Sequence, residues 1–144
     1  TRKAFIHNGR TIYEWDQTLD EVNIYIQLPE GVKAKFIDCK ITNTDLTVGI
    51  KGNPPYINEA FFLPVKNKDS FWTVEDGELH ITLSKLSKGE TWLGALKGHQ
   101  QLNPMEEEKA KKQLMLERFQ EENPGFDFSG AEFSGQAPDP KTFM

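Results

Sequence analysis

An alternation constrains this chain more than any other feature. Val22, Ile24, Ile26 and Leu28 take every second place between Asn23, Tyr25 and Gln27. A period of two puts apolar side chains on one face of an extended strand and polar ones on the other. The pattern recurs at Ile37, Cys39 and Ile41, at Leu46, Val48 and Ile50, and at Phe61, Leu63 and Val65. It returns at Trp72 and Val74 and at Leu79, Ile81 and Leu83, while Tyr13 and Trp15 begin the series. Turn residues separate these runs: Pro29-Glu30-Gly31, Asn43-Thr44-Asp45, Gly52-Asn53-Pro54-Pro55, Asn67-Lys68-Asp69 and Asp76-Gly77. Asp76-Gly77 is the sharpest signal, because both central residues of a type I′ hairpin need positive φ. About seven short strands follow, each with one apolar face that a second sheet must cover. The expected fold is therefore all-β, a seven-stranded antiparallel β-sandwich. Val22, Ile24, Ile26, Val48, Ile50, Trp72, Ile81 and Leu83 should point inward.

The pattern changes after the last of these strands. Trp92 to Gln101 is irregular, and Asn103-Pro104-Met105-Glu106 then reads as a helix start. Asn103 can cap, Pro104 suits the first helical position, and Glu106 can complete a reciprocal capping box. Asn123-Pro124-Gly125 should stop the helix. Its apolar content is thin, so it should dock its last two turns through Met115, Leu116 and Phe119. Residues 7–93 are assigned to the sandwich domain. Residues 94–144 are assigned to a linker, a helix over about 103–122 and an extended phenylalanine-rich tail.

Charge and composition narrow the function. The chain has 144 residues and a net charge of −5, which argues against nucleic acid or an anionic membrane as partner. One cysteine, Cys39, excludes an internal disulfide framework and fits a reducing compartment such as the cytoplasm. No apolar run reaches the length of a membrane span, and no signal peptide is visible. The sequence starts at Thr1, which leaves a preceding segment open.

A search for reaction chemistry returns little. His7, His80 and His99 are far apart, without metal-ligand spacing to one another or to Cys39. His80 reads as a solvent-facing strand residue and Cys39 as a structural thiol. Glu75, Asp76 and Glu78 crowd Gly77, but a hairpin turn accounts for them. Gly49-Ile50-Lys51-Gly52 is no phosphate loop. The expectation is a protein without enzymatic activity, cofactor or metal.

Protein binding is the remaining class, and the aromatics carry it. Tyr13, Trp15, Phe71, Trp72 and Trp92, on or beside strands, have two readings. They are core, or they form a recognition face with Gln17, Lys51, Glu75 and Asp76 around them. Phe119 on the helix and Phe126, Phe128 and Phe133 in the segment "NPGFDFSGAEFSG" complete the candidate set. Three tail phenylalanines among glycines, serines and acids either pack on the protein's own sandwich or wait for another protein. Strand addition to a sheet edge would supply backbone bonds for either.

Several stretches together resemble one family. "YEWDQTLDEVNIYIQLPEG" (Tyr13 to Gly31), "LTVGIKG" (Leu46 to Gly52) and "FWTVEDGELHITLSK" (Phe71 to Lys85) are similar to the CS domain of the NudC (nuclear distribution protein C) family. "LERFQEENPGFDFSGAEFSG" (Leu116 to Gly135) resembles the C-terminal segment of its short members. One departure is Asn58-Glu59-Ala60, where the family often carries a glycine. The resemblance implies a compact sandwich shared with co-chaperones that meet the heat-shock-90 chaperone. It also implies a cytoplasmic role in stabilising clients, among them the lissencephaly protein of the dynein pathway and other β-propeller proteins. An adaptor role in the dynein and microtubule system is the alternative. The family's long N-terminal dimerising region is absent, so a monomer or weak dimer is expected.

Overall fold

In a computed structural model, residues 2–99 and 101–124 are described; the candidate residues Phe126, Phe128 and Phe133 lie outside them. The strands are β1 (Lys3–His7), β2 (Arg10–Gln17), β3 (Glu21–Gln27), β4 (Ile37–Ile41), β5 (Asp45–Ile50), β6 (Ile57–Ala60), β7 (Val65–Glu75) and β8 (Glu78–Lys85). All pairings are antiparallel, in a five-stranded sheet of order β1-β2-β3-β8-β7 and a three-stranded sheet of order β4-β5-β6.

The sandwich is as expected, but it has eight strands among the described residues rather than seven. Two were not anticipated. β1 is a half-exposed edge strand whose apolar alternation is weak, and it is held by the Asn8-Gly9 turn, both residues at positive φ (53° and 73°). β6 supplies a single buried apolar residue, Ile57. One expected strand does not form: of Phe61, Leu63 and Val65 only Val65 lies in a named strand, as the start of β7, which also takes in the expected strand at Trp72 and Val74. Asn67-Lys68-Asp69 is not a break but part of an irregularity inside β7, where the register to β8 shifts between Lys66 and Phe71. Backbone pairing resumes past an inserted stretch, so turn-forming residues can mark a bulge instead of a strand end. Asp76-Gly77 is the hairpin expected, with φ of 52° and 74° and Glu75 opposite Glu78.

Val22, Ile24, Ile26, Val48, Ile81 and Leu83 are buried between the sheets. Ile50 and Trp72 are half-buried. The core runs across the expected boundary at residue 93. Trp92, Ala95 and Leu96 belong to it, and Leu96 bridges to Phe61. The Phe62 amide donates to the Ala95 carbonyl (3.1 Å) and the Lys97 amide to that of Ala60 (2.9 Å). The irregular stretch after β8 thus closes the end of the sandwich without forming a named strand.

The helix α1 (Pro104–Glu122) starts as its sequence dictates. Asn103 Oδ1 accepts from the Glu106 amide (2.8 Å), and Glu106 Oε1 accepts from the Asn103 amide (3.0 Å). Its docking differs from expectation. Leu114 is the buried residue, whereas Met115 and Phe119 are 57% and 43% exposed. The docked face follows Ala110, Leu114 and Glu117, one turn apart each time, and Met115 points away from that stripe. Polar contacts hold its length. Lys3 reaches Glu106 (3.4 Å), the Leu19 amide donates to Glu117 Oε1 (3.3 Å), and Lys88 pairs with Glu121 and Asp20.

Candidate protein-binding surface

The predicted site residues separate into buried and exposed groups. Tyr13, Trp15 and Gln17 sit inside the fold and offer no surface there. The Tyr13 hydroxyl lies 2.9 Å from His99 Nδ1, and its ring packs against Phe5, which stacks on His99 with centroids 4.1 Å apart. Burial drives the Tyr13 hydroxyl far above its ordinary range and lowers His99. Gln17 is a strut. Its Nε2 donates to the Trp92 carbonyl, and its Oε1 accepts from the Trp92 amide, both at 2.9 Å. The same Oε1 accepts from Lys85 Nζ (3.1 Å), which also donates to the carbonyls of Thr18 (2.7 Å) and Glu90 (2.6 Å). The period of two placed Gln17 on the same face as Trp15; a polar side chain at that position signalled a buried network rather than a rim.

Lys51, Glu75 and Asp76 are exposed, and Trp72 packs against the core edge. Glu75 and Asp76 close the β7–β8 hairpin of the five-stranded sheet. Lys51 lies in the turn after β5 of the other sheet, and no hydrogen bond or ion pair joins it to them among the described residues.

Around Glu75 and Asp76 the outer face of the five-stranded sheet is built by register. Tyr25 lies opposite Glu14 and His80, His80 opposite Thr73, and Glu78 opposite Gln27 and Glu75, so these side chains share one face. Arg2 reaches over this row with its guanidinium carbon 3.4 Å from the centre of the Tyr25 ring. It bonds Glu78 (2.8 and 3.1 Å) and Glu14 (3.3 Å), which raises its already high pKa. Tyr25 stacks on His80 (4.6 Å) and donates to Asp16 Oδ2 (3.2 Å); burial, then Asp16, pushes its hydroxyl up. His80 Nε2 lies 2.9 Å from Asn23 Oδ1, whose Nδ2 donates to Asp16 (2.9 Å). A groove of about 300 Å³ runs through this face, and Phe71 beyond it is 54% exposed.

Arg2 and Tyr25 stand outside the residues expected from the sequence, whereas Phe71 belongs to the aromatic set that the recognition-face reading included. An aromatic at an outward position of the alternation, as Tyr25 is, was the available signal. Such a face offers carboxylates, stacking rings and little reaction chemistry. Among the described residues, no group of three or more His, Cys, Asp or Glu could hold a metal ion. No described helix is long and apolar enough to cross a membrane.

Comparison with known proteins decides the family. The CS domain model matches residues 11–85. The human NudC domain-containing protein 2 is 34% identical over 137 residues, covering 93% of this chain and 87% of its own. The chain belongs to the NudC family of CS-domain proteins. The Schizosaccharomyces pombe nuclear movement protein nudc is 39% identical over 92 residues, which cover 60% of this chain and 54% of that protein. The CS domain of human KIAA1068 protein shares the fold, with a TM-score of 0.58 at 18% identity over 70% of this chain and 82% of that one.

The NudC-like motifs gain physical meaning in this setting. In the Val48-Gly49-Ile50 stretch, a Cβ on Gly49 would lie 3.1 Å from Pro55 Cα and 3.4 Å from the Tyr56 amide nitrogen. The β5–β6 connection folds back against that strand, and the Tyr56 amide donates to the Val48 carbonyl (2.7 Å). A glycine lets the two backbones approach. In the Trp72-Thr73-Val74-Glu75-Asp76 stretch, the inward pair supports the core and the outward pair lines the groove.

Proposed function

We propose that this chain is a non-enzymatic, co-chaperone-type protein-binding module of the cytoplasm. It stabilises client proteins in concert with the heat-shock-90 chaperone, and its clients include the lissencephaly protein of the dynein pathway and other β-propeller proteins. The observation that carries the reading is the CS domain over residues 11–85 on a sandwich whose outer face keeps rings and carboxylates at the surface. A net charge of −5 favours protein partners over nucleic acid or anionic membrane. Glu75 and Asp76 are the proposed contacts on that face, and Lys51, Trp72, Phe119 and the tail phenylalanines are proposed as secondary ones.

The test is suppression of thermal aggregation of an unrelated model substrate, with binding of purified heat-shock-90 and lissencephaly protein measured alongside. The expected result is reduced light scattering and measurable binding to both. Charge reversal by Lys51→Glu and Glu75→Lys should weaken binding; unchanged binding would place the contact elsewhere. A second reading has specific support. Relatives from Schizosaccharomyces pombe and Drosophila melanogaster bear the names nuclear movement protein and nuclear migration protein. An adaptor of the dynein and microtubule system would bind the lissencephaly protein yet leave the aggregation curve unchanged.

A further inference from the structure

At the end of the five-stranded sheet opposite the Asp76-Gly77 hairpin lies a second groove, of about 490 Å³. It is lined by Pro64 and Leu86, by Lys66, Lys68 and Asp69 of the irregular stretch in β7, and by Asn43. The Leu86 amide donates to the Pro64 carbonyl (3.3 Å), which sets the two apolar groups side by side. Leu86 is 53% exposed, although it directly follows the buried Lys85. The groove therefore combines an uncovered apolar floor with two lysines against one aspartate.

The last turns of the helix are tied to the turn that follows Leu86. Lys88, two residues after Leu86 and so within about 7 Å of it along the backbone, pairs with Glu121 in the last turn of α1. Arg118 lies over Gly89, whose own amide donates to the Leu19 carbonyl (2.9 Å). The described chain ends at Pro124 beside these contacts. The next residues read Gly125-Phe126-Asp127-Phe128, and Glu132-Phe133 follows. Phe126 and Phe128, two and four residues past Pro124, can reach up to about 7 and 14 Å beyond it. Their chemistry complements the groove: rings for Pro64 and Leu86, carboxylates for Lys66 and Lys68.

We propose that this groove is the docking site for the chain's own acidic, phenylalanine-bearing segment 126–133. The lysines of the β7 irregularity then have two effects. They keep the sheet edge from pairing with other strands, and they select an acidic partner segment over a neutral one. This holds whether or not the chain acts as a co-chaperone; a client that meets the tail phenylalanines would compete with the groove for them.

The experiment is an amide and methyl NMR comparison of the full chain with two variants, Phe126→Ser/Phe128→Ser and Lys66→Glu/Lys68→Glu. Lys66 and Lys68 are exposed and lie outside the core. The first variant is expected to shift resonances of Val65, Lys66, Lys68 and Leu86 and to leave Ile24 and Ile81 in place. The second should shift resonances of residues 126–133, and adding Asp127→Lys/Glu132→Lys to it should restore them. The shifts should be the same over a hundredfold range of protein concentration. Unmoved groove resonances in the first variant, or shifts confined to another surface, would overturn the proposal. Shifts that vanish on dilution would overturn it in favour of a second copy's segment filling the groove.

Discussion

Lys85 shows how a single residue can tie the end of one strand and a later turn together. Its ammonium donates to Gln17, Thr18 and Glu90, and the chain on either side leads to β8 and to the turn that carries Trp92. Three oxygens satisfy its three donors, yet taking the charge out of water is unfavourable. Burial pulls Lys85 from its ordinary 10.5 to about 8, while Glu117, Asp20 and Glu90 hold it up. Between these values the unfolded chain keeps a proton that the folded chain has released. Stability therefore rises with pH there, by at most about 1.4 kcal/mol per pH unit. Cys39 acts in the other direction. Burial raises its thiol from 9.0 to about 12, so the unfolded chain ionises first and stability falls above about pH 9. The urea midpoint should therefore increase from pH 8 to pH 9, and Lys85→Met should flatten that increase whatever it does to stability overall. A second residue-scale test concerns Ile24, which is fully buried between Trp15 on β2 and Ile81 on β8. Ile24→Ala should cost about 2–5 kcal/mol in denaturant unfolding.

At the scale of elements, α1 is an attachment with its own stability. It brings one buried side chain, Leu114, and a row of polar contacts to the sandwich. The reciprocal cap at Asn103 and Glu106 satisfies amides that no helical turn can reach. Glu106 also meets Lys3, and the Asn103 amide followed by Lys3 holds its carboxyl below the ordinary range. Such a helix should open before the sheets do. Leu114→Ala should release it, seen as lost hydrogen-exchange protection over residues 107–122 with β3 and β8 still protected. Met115→Ala, on the exposed side, should change stability by no more than about 0.5 kcal/mol. Asn103→Ala should cost about 0.5–2 kcal/mol of helix stability, read from the same exchange data.

The molecule as a whole separates holding the fold from meeting a partner. Tyr13, Trp15 and Trp92 fill the interior, while the outer face of the five-stranded sheet keeps Tyr25, stacked and hydrogen-bonded, and the exposed Phe71 at the surface. Arg2 ties the first described residue to the far side of that face through Glu78. Replacing it should loosen β1 and free Glu14 and Glu78 together. With Arg2→Ala, a partner drawn by carboxylates should bind more tightly at low salt, and the gain should fade as salt is raised. A binding isotherm at two ionic strengths checks this; a gain that ignores salt would mean the carboxylates are not the attraction.

Local rules wrote much of this structure. Alternation at Val22, Ile24 and Ile26 named the inner face of β3, because a strand's side chains have no other choice of face; that β8 lies beside it came from the tertiary structure. Asp76-Gly77 named the β7–β8 hairpin, and Asn103-Pro104 with Glu106 named the helix start, because positive φ and orphan amides are problems solved within a few residues. Asn8-Gly9 carried the same information for β1, although β1 itself has too little apolar alternation to announce a strand. Other features were not local. Whether Tyr13 and Trp15 met water or the interior depended on residues far along the chain, His99 and Trp92 with its neighbours. Gln17 became a strut because Lys85 and Trp92 arrived beside it. Leu114, not Met115, is the buried residue of the helix, and Ala110 on the same stripe lines a groove with Trp15 and Leu102. An amphipathic stripe specifies which residues share a face; which face is covered depends on what the rest of the chain brings to it.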